Sequence, residues 1–346
     1  MFDTARVPGL LALLRELGRA LRDSVVGAYE RMGESDLSGV ADDGPGDTIY
    51  RIDRVSEAVL VERLGPRAAS LGGIQLVAEG LPGGEIALPN GRREACAWRF
   101  IVDPIDGTRC IMYQKRSAWV LCAVAANRGS ETRLSDVILA TQTEIPTQKQ
   151  YLSDELWAVR GQGAHCERVN RLTGERTPAC LAPSRADSLR HGYAMITRLF
   201  PGARDELAAL DEELMLQLLG ASPEGKAPCF EDQYASTGGQ LYELMVGHDR
   251  FNADLRPLMS RLLEARGQPT GICCHPYDIC TALIAEEAGV LLTDPWGAPL
   301  DVPLDVASNV AWVGYANATL RRQIEPVLQA VLERRGLGRH SSGSGA

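Results

Sequence analysis

Residues 101 to 109 read IVDPIDGTR, placing Asp103 and Asp106 three positions apart at the end of an apolar run, with Pro104 between them and Gly107-Thr108 behind. Two carboxylates and the carbonyl of Ile105 facing one point would form a set of hard oxygen donors. Such a set suits Mg²⁺, which prefers near-octahedral oxygen ligation and keeps waters that a phosphate can replace. Gly107 and Thr108 would then open a helix whose first N–H groups form an anion site, so metal and phosphate would meet at one turn. The same string also fits an ordinary surface turn, because Asp, Pro and Gly are common turn residues. Context separates the two readings: apolar Phe100-Ile101-Val102 runs directly into Asp103, and further acids stand at similar junctions elsewhere.

The composition narrows what such a centre could serve. The chain has 346 residues, 45% of them apolar, enough for a substantial core in one large domain or two ordinary ones. Its net charge is −9, and no Lys/Arg run tracks a phosphate backbone, so neither a nucleic-acid polymer nor a membrane surface is an expected partner. Small charged substrates remain open. Arg15, Glu16, Arg19 and Arg22 interrupt the leucine-rich stretch VPGLLALLRELGRALRDSVV, which reads as an amphipathic packing helix rather than a signal or membrane span. Nine cysteines without C-x-x-C spacing, several inside apolar runs, point to reduced core thiols and a cytoplasmic setting. Cys273-Cys274-His275 lacks a second ligand pair and reads as structural rather than as a zinc site.

The elements that must position the carboxylates follow from periodicity. Residues 34 to 47 read as a loop, and Val55, Val59, Leu60 and Leu64 share one face of a helix after it. GIQLVAEG reads as a short buried strand ending near Glu79, followed by a Gly/Pro-rich loop over 81 to 94. WRFIVDPID reads as a strand to Asp103, where Pro104 removes a backbone donor and ends the ladder; GTRCIMYQ can then begin a helix. Strands over 118 to 126, 135 to 142 and 150 to 159 complete a first half read as a helix-bearing, largely antiparallel sheet. GYAMITRLF reads as a strand, and ARDELAALDEELMLQLLG, STGGQLYELMVG and YDICTALIAEEAG as helices, giving an α/β second half. The polar stretch over 181 to 191 is the expected seam. It divides an N-terminal α+β half, 1 to 185, from a C-terminal α/β half, 186 to 337, with a flexible tail over 338 to 346.

DPIDGT at 103 to 108 resembles the signature of the inositol monophosphatase-like family, the Mg²⁺-dependent, lithium-sensitive phosphatases that include fructose-1,6-bisphosphatases and 3′-phosphonucleotide phosphatases. More pieces fall in the family's order between about residues 45 and 315. GDTIYRID resembles the upstream D-x-x-T-x-x-D segment and places Asp53 at its last aspartate. LVAEG resembles the strand ending in the metal-binding glutamate, here Glu79. LWAVRGQGAH resembles the hairpin with the G-x-G-A turn, and HPYDICTALIAEEAGVLLTDPWGAPLD resembles the second signature, with Asp278 at its aspartate.

The resemblance implies a layered αβαβα sugar-phosphatase fold, mixed α+β and α/β, with the active site between two halves. It also implies a homodimer and hydrolysis of an inositol-monophosphate-like substrate; a sugar bisphosphate or a 3′-phosphonucleotide is the alternative, and a catalytically silent binding protein a further one. Glu79, Asp103 and the Ile105 carbonyl would hold one Mg²⁺, and Asp103, Asp106 and Asp278 a second. Thr108, backed by Asp53 and Glu79, would orient and deprotonate the attacking water, and Gly107 and Thr108 would contact phosphate. Each acid also has a plain structural role open to it. Asp53 can cap the helix after it, Asp278 can be the N-terminal acid of another, and Glu79 merely ends a strand.

Departures from the family pattern bear on substrate. Gly80 stands where a second acid is common, Tyr277 replaces a tryptophan, and Cys280 and Thr281 replace small residues. ADDGPG occupies the loop in which some relatives carry a lysine supporting a further metal, so two ions or three remain open. Arg109, Lys115 and Arg116 follow the motif and either meet a second anionic group on the substrate or lie on a solvated helix face. Ser236, Thr237 and His248 take no role from the sequence.

Overall fold

The computed structural model describes residues 6–31, 40–42, 49–89, 91, 93 and 96–339, with side chains described for these except 40–42 and 49–58. Helix α1 (Val7–Arg31) buries Leu10, Leu14, Leu17, Leu21 and Val25, a stripe at helical spacing that covers one face of a sheet. Short strand β1 (Val40–Asp42), inside the region read as a loop, pairs with β2 (Ile49–Tyr50) just after it, which leads into α2 (Arg51–Leu71).

An eight-stranded sheet follows: β3 (Ile74–Ala78), β4 (Glu85–Leu88), β5 (Trp98–Asp106), β6 (Ala118–Ala126), β7 (Val137–Ile145), β8 (Leu152–Val159), β9 (Ala164–Asn170) and β10 (Arg176–Ala179). The spatial order is β10-β9-β8-β7-β6-β5-β3-β4, and every pair is antiparallel except β3 with β5. β4 falls in the stretch read as a plain loop. Its alternation is too short to stand out among the glycines and prolines, and it forms only as an edge against β3. The central strand β6, AWVLCAVAA, is buried along all but its last residue, as a strand covered on both faces must be.

A second sheet has the order β11 (Tyr193–Ile196), β12 (Asp249–Asp254), β14 (Trp312–Tyr315), β13 (Leu291–Thr293). Helices α5 (Thr237–Met245) and α7 (Ala282–Ala288) lie between the sheets; α4 (Arg204–Leu219) and α8 (Ala318–Arg334) cover the outer face of the second. With α1 and α2 outside the first sheet, the layers run α, β, α, β, α, the layered architecture expected from the sequence. A one-turn helix α3 (Thr108–Met112) follows β5, and a short α6 (Ser260–Ala265) follows β12. Residues 180 to 192 carry no regular element, yet one apolar core runs from Ile101 and Leu121 of the first sheet through Leu241 and Leu283 to Phe251 and Trp312 of the second. Most of the 338 to 346 tail lies outside the described residues.

Two boundaries differ from the expectation where they matter. The ladder does not end at Asp103: β5 pairs with β6 at Asp103↔Leu121 and again at Asp106↔Trp119, three residues against two. Pro104 is absorbed as a β-bulge, which a missing N–H permits. Asp278 does not open a helix; it sits in a turn, and α7 begins at Ala282.

Candidate active site

In an unbroken strand, residues three apart point to opposite faces. The bulge at Pro104 shifts that alternation by one, so Asp103 and Asp106 face the same side while Ile105 packs with the core under α1 and α2. β3 runs parallel to β5, with Ala78 beside Val102, so Glu79 emerges at the same end of the sheet as Asp103. Asp278 arrives from the turn ahead of α7. One carboxylate oxygen each from Asp103, Asp106 and Asp278 lies within 4.8 Å of the others, the one such acidic group among the described residues.

The electrostatics match that geometry. Burial raises the Asp103 carboxyl well above the ordinary range, and the charges of Asp106, Asp278 and Glu79 raise it further. Asp278 is raised in the same way, by burial and then by Asp106 and Glu79. Asp106 is pushed up to about 6 by burial, against donors that lower it. Glu79 therefore acts on both Asp103 and Asp278, so all four acids share one field. Acids this close repel when none is protonated, and a divalent cation among them removes the repulsion.

Each acid is held. Asp103 Oδ1 accepts the Ile105 N–H at 3.0 Å, and Asp278 Oδ2 accepts the His275 N–H at 2.6 Å. Asp106 Oδ2 accepts from the Ser236 hydroxyl at 2.7 Å and the Gly238 N–H at 2.6 Å, while Oδ1 accepts the Thr237 N–H at 3.2 Å. The N-terminus of α5 thus closes on one carboxylate, a stabilising placement for negative charge. It comes this near because Gly238 has no side chain: a Cβ there would lie 2.6 Å from Leu121 and 3.0 Å from Asp106 Oδ2. Buried Gln142 ties the two inner helices to the sheet, donating to the Gly238 carbonyl at 2.8 Å and accepting from Thr281 at 3.0 Å.

Thr108 donates its hydroxyl to the Ile105 carbonyl at 2.9 Å, and α3 begins at Thr108 after Gly107 in the left-handed region at φ 95°. Because α3 is a single turn, any phosphate contact there would rest on local N–H groups rather than on a long helix dipole. Asp53 lies in the first turn of α2, and its side chain is outside the described residues. A cavity of about 560 Å³ opens beside Glu79, with His275 and Tyr277 in its wall; their rings stack at 5.4 Å.

The cationic segment divides. Arg116 lies against Asp232 and, at 2.6 Å, Glu243, with its guanidinium over the Tyr234 ring, so it is occupied by protein carboxylates and is not available to a substrate anion. Lys115 is exposed, and Arg109 is half-buried with its guanidinium 5.0 Å from the Phe200 ring centre. Ser236 and Thr237, which took no role from the sequence, prove to hold Asp106. The S-T-G-G run before an apolar period signals a helix cap, but nothing local says which carboxylate the cap meets. His248 contacts Glu243, away from the acids.

No protein-family model and no curated protein matches the chain by sequence. Solved structures do match by shape. Fructose-1,6-bisphosphatase from Leishmania major superposes with a TM-score of 0.65 at 12% identity, covering 96% of each chain. The extragenic suppressor protein SuhB from Bartonella henselae gives 0.62 at 18% identity, over 93% of this chain and 98% of that one. Inositol monophosphatase from Anabaena gives 0.57 at 15%, over 95% and 97%. The chain has the inositol monophosphatase fold. Within the inositol monophosphatase fold it places Asp103, Asp106 and Asp278 at one point between the two sheets, with Glu79 alongside.

Proposed function

We propose that the chain is an Mg²⁺-dependent phosphomonoesterase acting on a small phosphorylated metabolite of the inositol monophosphate kind. The observation that carries the reading is the convergence of Asp103, Asp106 and Asp278 within 4.8 Å, at the junction of two sheets, in a fold shared with inositol monophosphatase and fructose-1,6-bisphosphatase structures. The donor set fits the ion: carboxylate oxygens that raise one another's pKa values, each already oriented by backbone or hydroxyl donors. Glu79, Asp103, the Ile105 carbonyl, Asp106 and Asp278 would hold two or three Mg²⁺. When bound, the cations neutralise phosphate charge, acidify a water and stabilise the leaving oxygen.

The chain's own groups supply position. Thr108, with Glu79 and Asp53, orients the attacking water and takes its proton, and the N–H groups at Gly107 and Thr108 hold phosphate oxygens. The cavity walled by His275 and Tyr277 receives the alcohol part of the ester. Inhibition by Li⁺, a homodimeric assembly and a cytoplasmic setting belong to the same reading. Among the described residues no helix is long and apolar enough to cross a membrane. None of the nine cysteines is in a disulfide.

The test is phosphate release, with Mg²⁺ and with a chelator, from myo-inositol 1-phosphate, fructose 1,6-bisphosphate and a 3′-phosphonucleotide. Mg²⁺-dependent release that is fastest on the inositol ester supports the reading. Preference for either of the others moves the substrate class, and release from none of them refutes the assignment.

A further inference from the structure

In-register parallel neighbours share a sheet face, so Gln75, Val77, Arg99 and Ile101 lie on the same face as Asp103 but toward the opposite end of β3 and β5. Gln75 and Arg99 form part of the floor of a second cavity, about 780 Å³, walled by segment 303–307 and reached by Arg93 and Arg128 at its rim. Gly84 and Val306 line both this cavity and the one beside Glu79, so the two spaces share a wall. No step of the proposed reaction uses the second cavity.

Gln75 sets it apart. The side chain is 1% exposed, yet neither Oε1 nor Nε2 has a hydrogen-bond partner, and among the described residues no other side chain leaves two buried polar atoms unpaired. Buried amides are almost always satisfied, so an unpaired amide in the floor of a cavity points to something that pairs with it there. The remaining polar groups are already matched. Arg99 donates to the Leu304 carbonyl at 2.9 and 2.7 Å and to Glu85 at 3.1 Å; Arg93 meets the other oxygen of Glu85; Arg128 donates to Asp136 at 2.8 Å. Asp305 accepts the N–H groups of Ala307 and Ser308. Arg93 and Arg99 share the Glu85 carboxylate and Arg128 pairs with Asp136 just outside the cavity, so each guanidinium already has a carboxylate partner and no unpaired cation calls for an anionic guest. Val77, Pro303 and Val306 add apolar surface against which a flat ring can lie.

We propose that this cavity binds a neutral planar molecule whose edge sets an N–H beside a carbonyl or ring nitrogen, as a nucleobase or an aromatic carboxamide does. A primary amide offers one donor beside one acceptor whichever way it is turned, and that pair is complementary to such an edge. The volume lies within the range of small-molecule sites.

The experiment is ligand-observed NMR on the full chain with uracil, adenine and nicotinamide as separate probes, in chelator and again with Mg²⁺ plus inorganic phosphate. At least one probe should bind saturably, at least about tenfold more weakly in Gln75→Leu because a paired amide is lost. Binding should vanish in Ala307→Trp, which fills the mouth from an exposed position. It should be indifferent to Mg²⁺ and phosphate. Removing the unpaired amide should also raise the melting temperature of Gln75→Leu by about 2–4 °C; if that variant does not fold, Ala307→Trp decides. Absence of binding by all three probes, binding that survives either substitution, or displacement by Mg²⁺ and phosphate overturns the proposal. None of these outcomes depends on phosphatase activity.

Discussion

The hydroxyl of Ser236 donates to Asp106 Oδ2 at 2.7 Å, joining residues 130 positions apart and fastening the N-terminus of α5 to the end of β5. Two further donors, the N–H groups of Thr237 and Gly238, complete the grip. The contact fixes where one carboxylate points and holds its pKa below the value burial alone would set. Metal affinity at such a carboxylate depends on both.

Ser236→Ala removes one of the three donors and leaves a slightly larger space. The fold should persist, while the Mg²⁺ concentration that gives half-maximal thermal stabilisation should rise about tenfold, as expected when an outer-shell partner of a metal ligand is lost. Melting curves across an Mg²⁺ titration measure it. An unchanged titration would mean that Asp106 does not depend on the Ser236 hydroxyl for its orientation.

Arg109 and Arg116 should behave differently despite their nearness in sequence. Arg116→Ala takes the guanidinium from Asp232, leaves Glu243 with His248, and uncovers Tyr234, so the melting temperature should fall while KM for any phosphoester stays level. Arg109→Ala should raise KM for a bisphosphate about tenfold and for a monoester less, if its guanidinium meets a second anionic group. Equal KM changes on both substrates would remove that contact.

Asp249 supplies a pH dependence away from the acidic centre. Burial pushes its carboxyl up to about 6, partly offset by Asn252, which donates to it at 2.8 Å. A folded-state pKa above the unfolded one means that the native state holds the extra proton. The stability contributed by this group is therefore fully present below about pH 4 and is lost as pH rises toward 6. Asp249→Asn should flatten that part of the stability profile and be more stable than wild type at pH 7 by about 2 kcal/mol. Urea unfolding at pH 4.5, 6 and 7.5 measures the difference; parallel profiles for the two proteins would contradict it.

Much of the frame was legible because long apolar periods declare themselves: the leucine stripe of α1, the unbroken run of β6 and the ordered acids were all visible in sequence. What was not legible depended on pairing partners. Pro104 reads locally as a strand stop, yet β6 supplies the ladder that carries β5 past it to Asp106. Asp278 reads as a helix start, yet its carboxylate is turned back on the His275 N–H and α7 begins four residues later. Ser236 takes no role from the sequence because the carboxylate it meets lies 130 residues away. Arg116 reads as a free cation because Asp232 and Glu243 are more than a hundred residues away.

We propose that Asp103, Asp106 and Asp278 jointly bind the cation on which hydrolysis depends. The direct measurement compares wild type with Asp103→Asn in Mg²⁺-dependent phosphate release at saturating Mg²⁺, with chelator controls. Wild type should release phosphate in a way that the chelator abolishes, and Asp103→Asn should lose about a thousandfold or more of that release in a protein that still melts cooperatively. Wild-type turnover in Asp103→Asn, or release that continues undiminished in chelator, would contradict it.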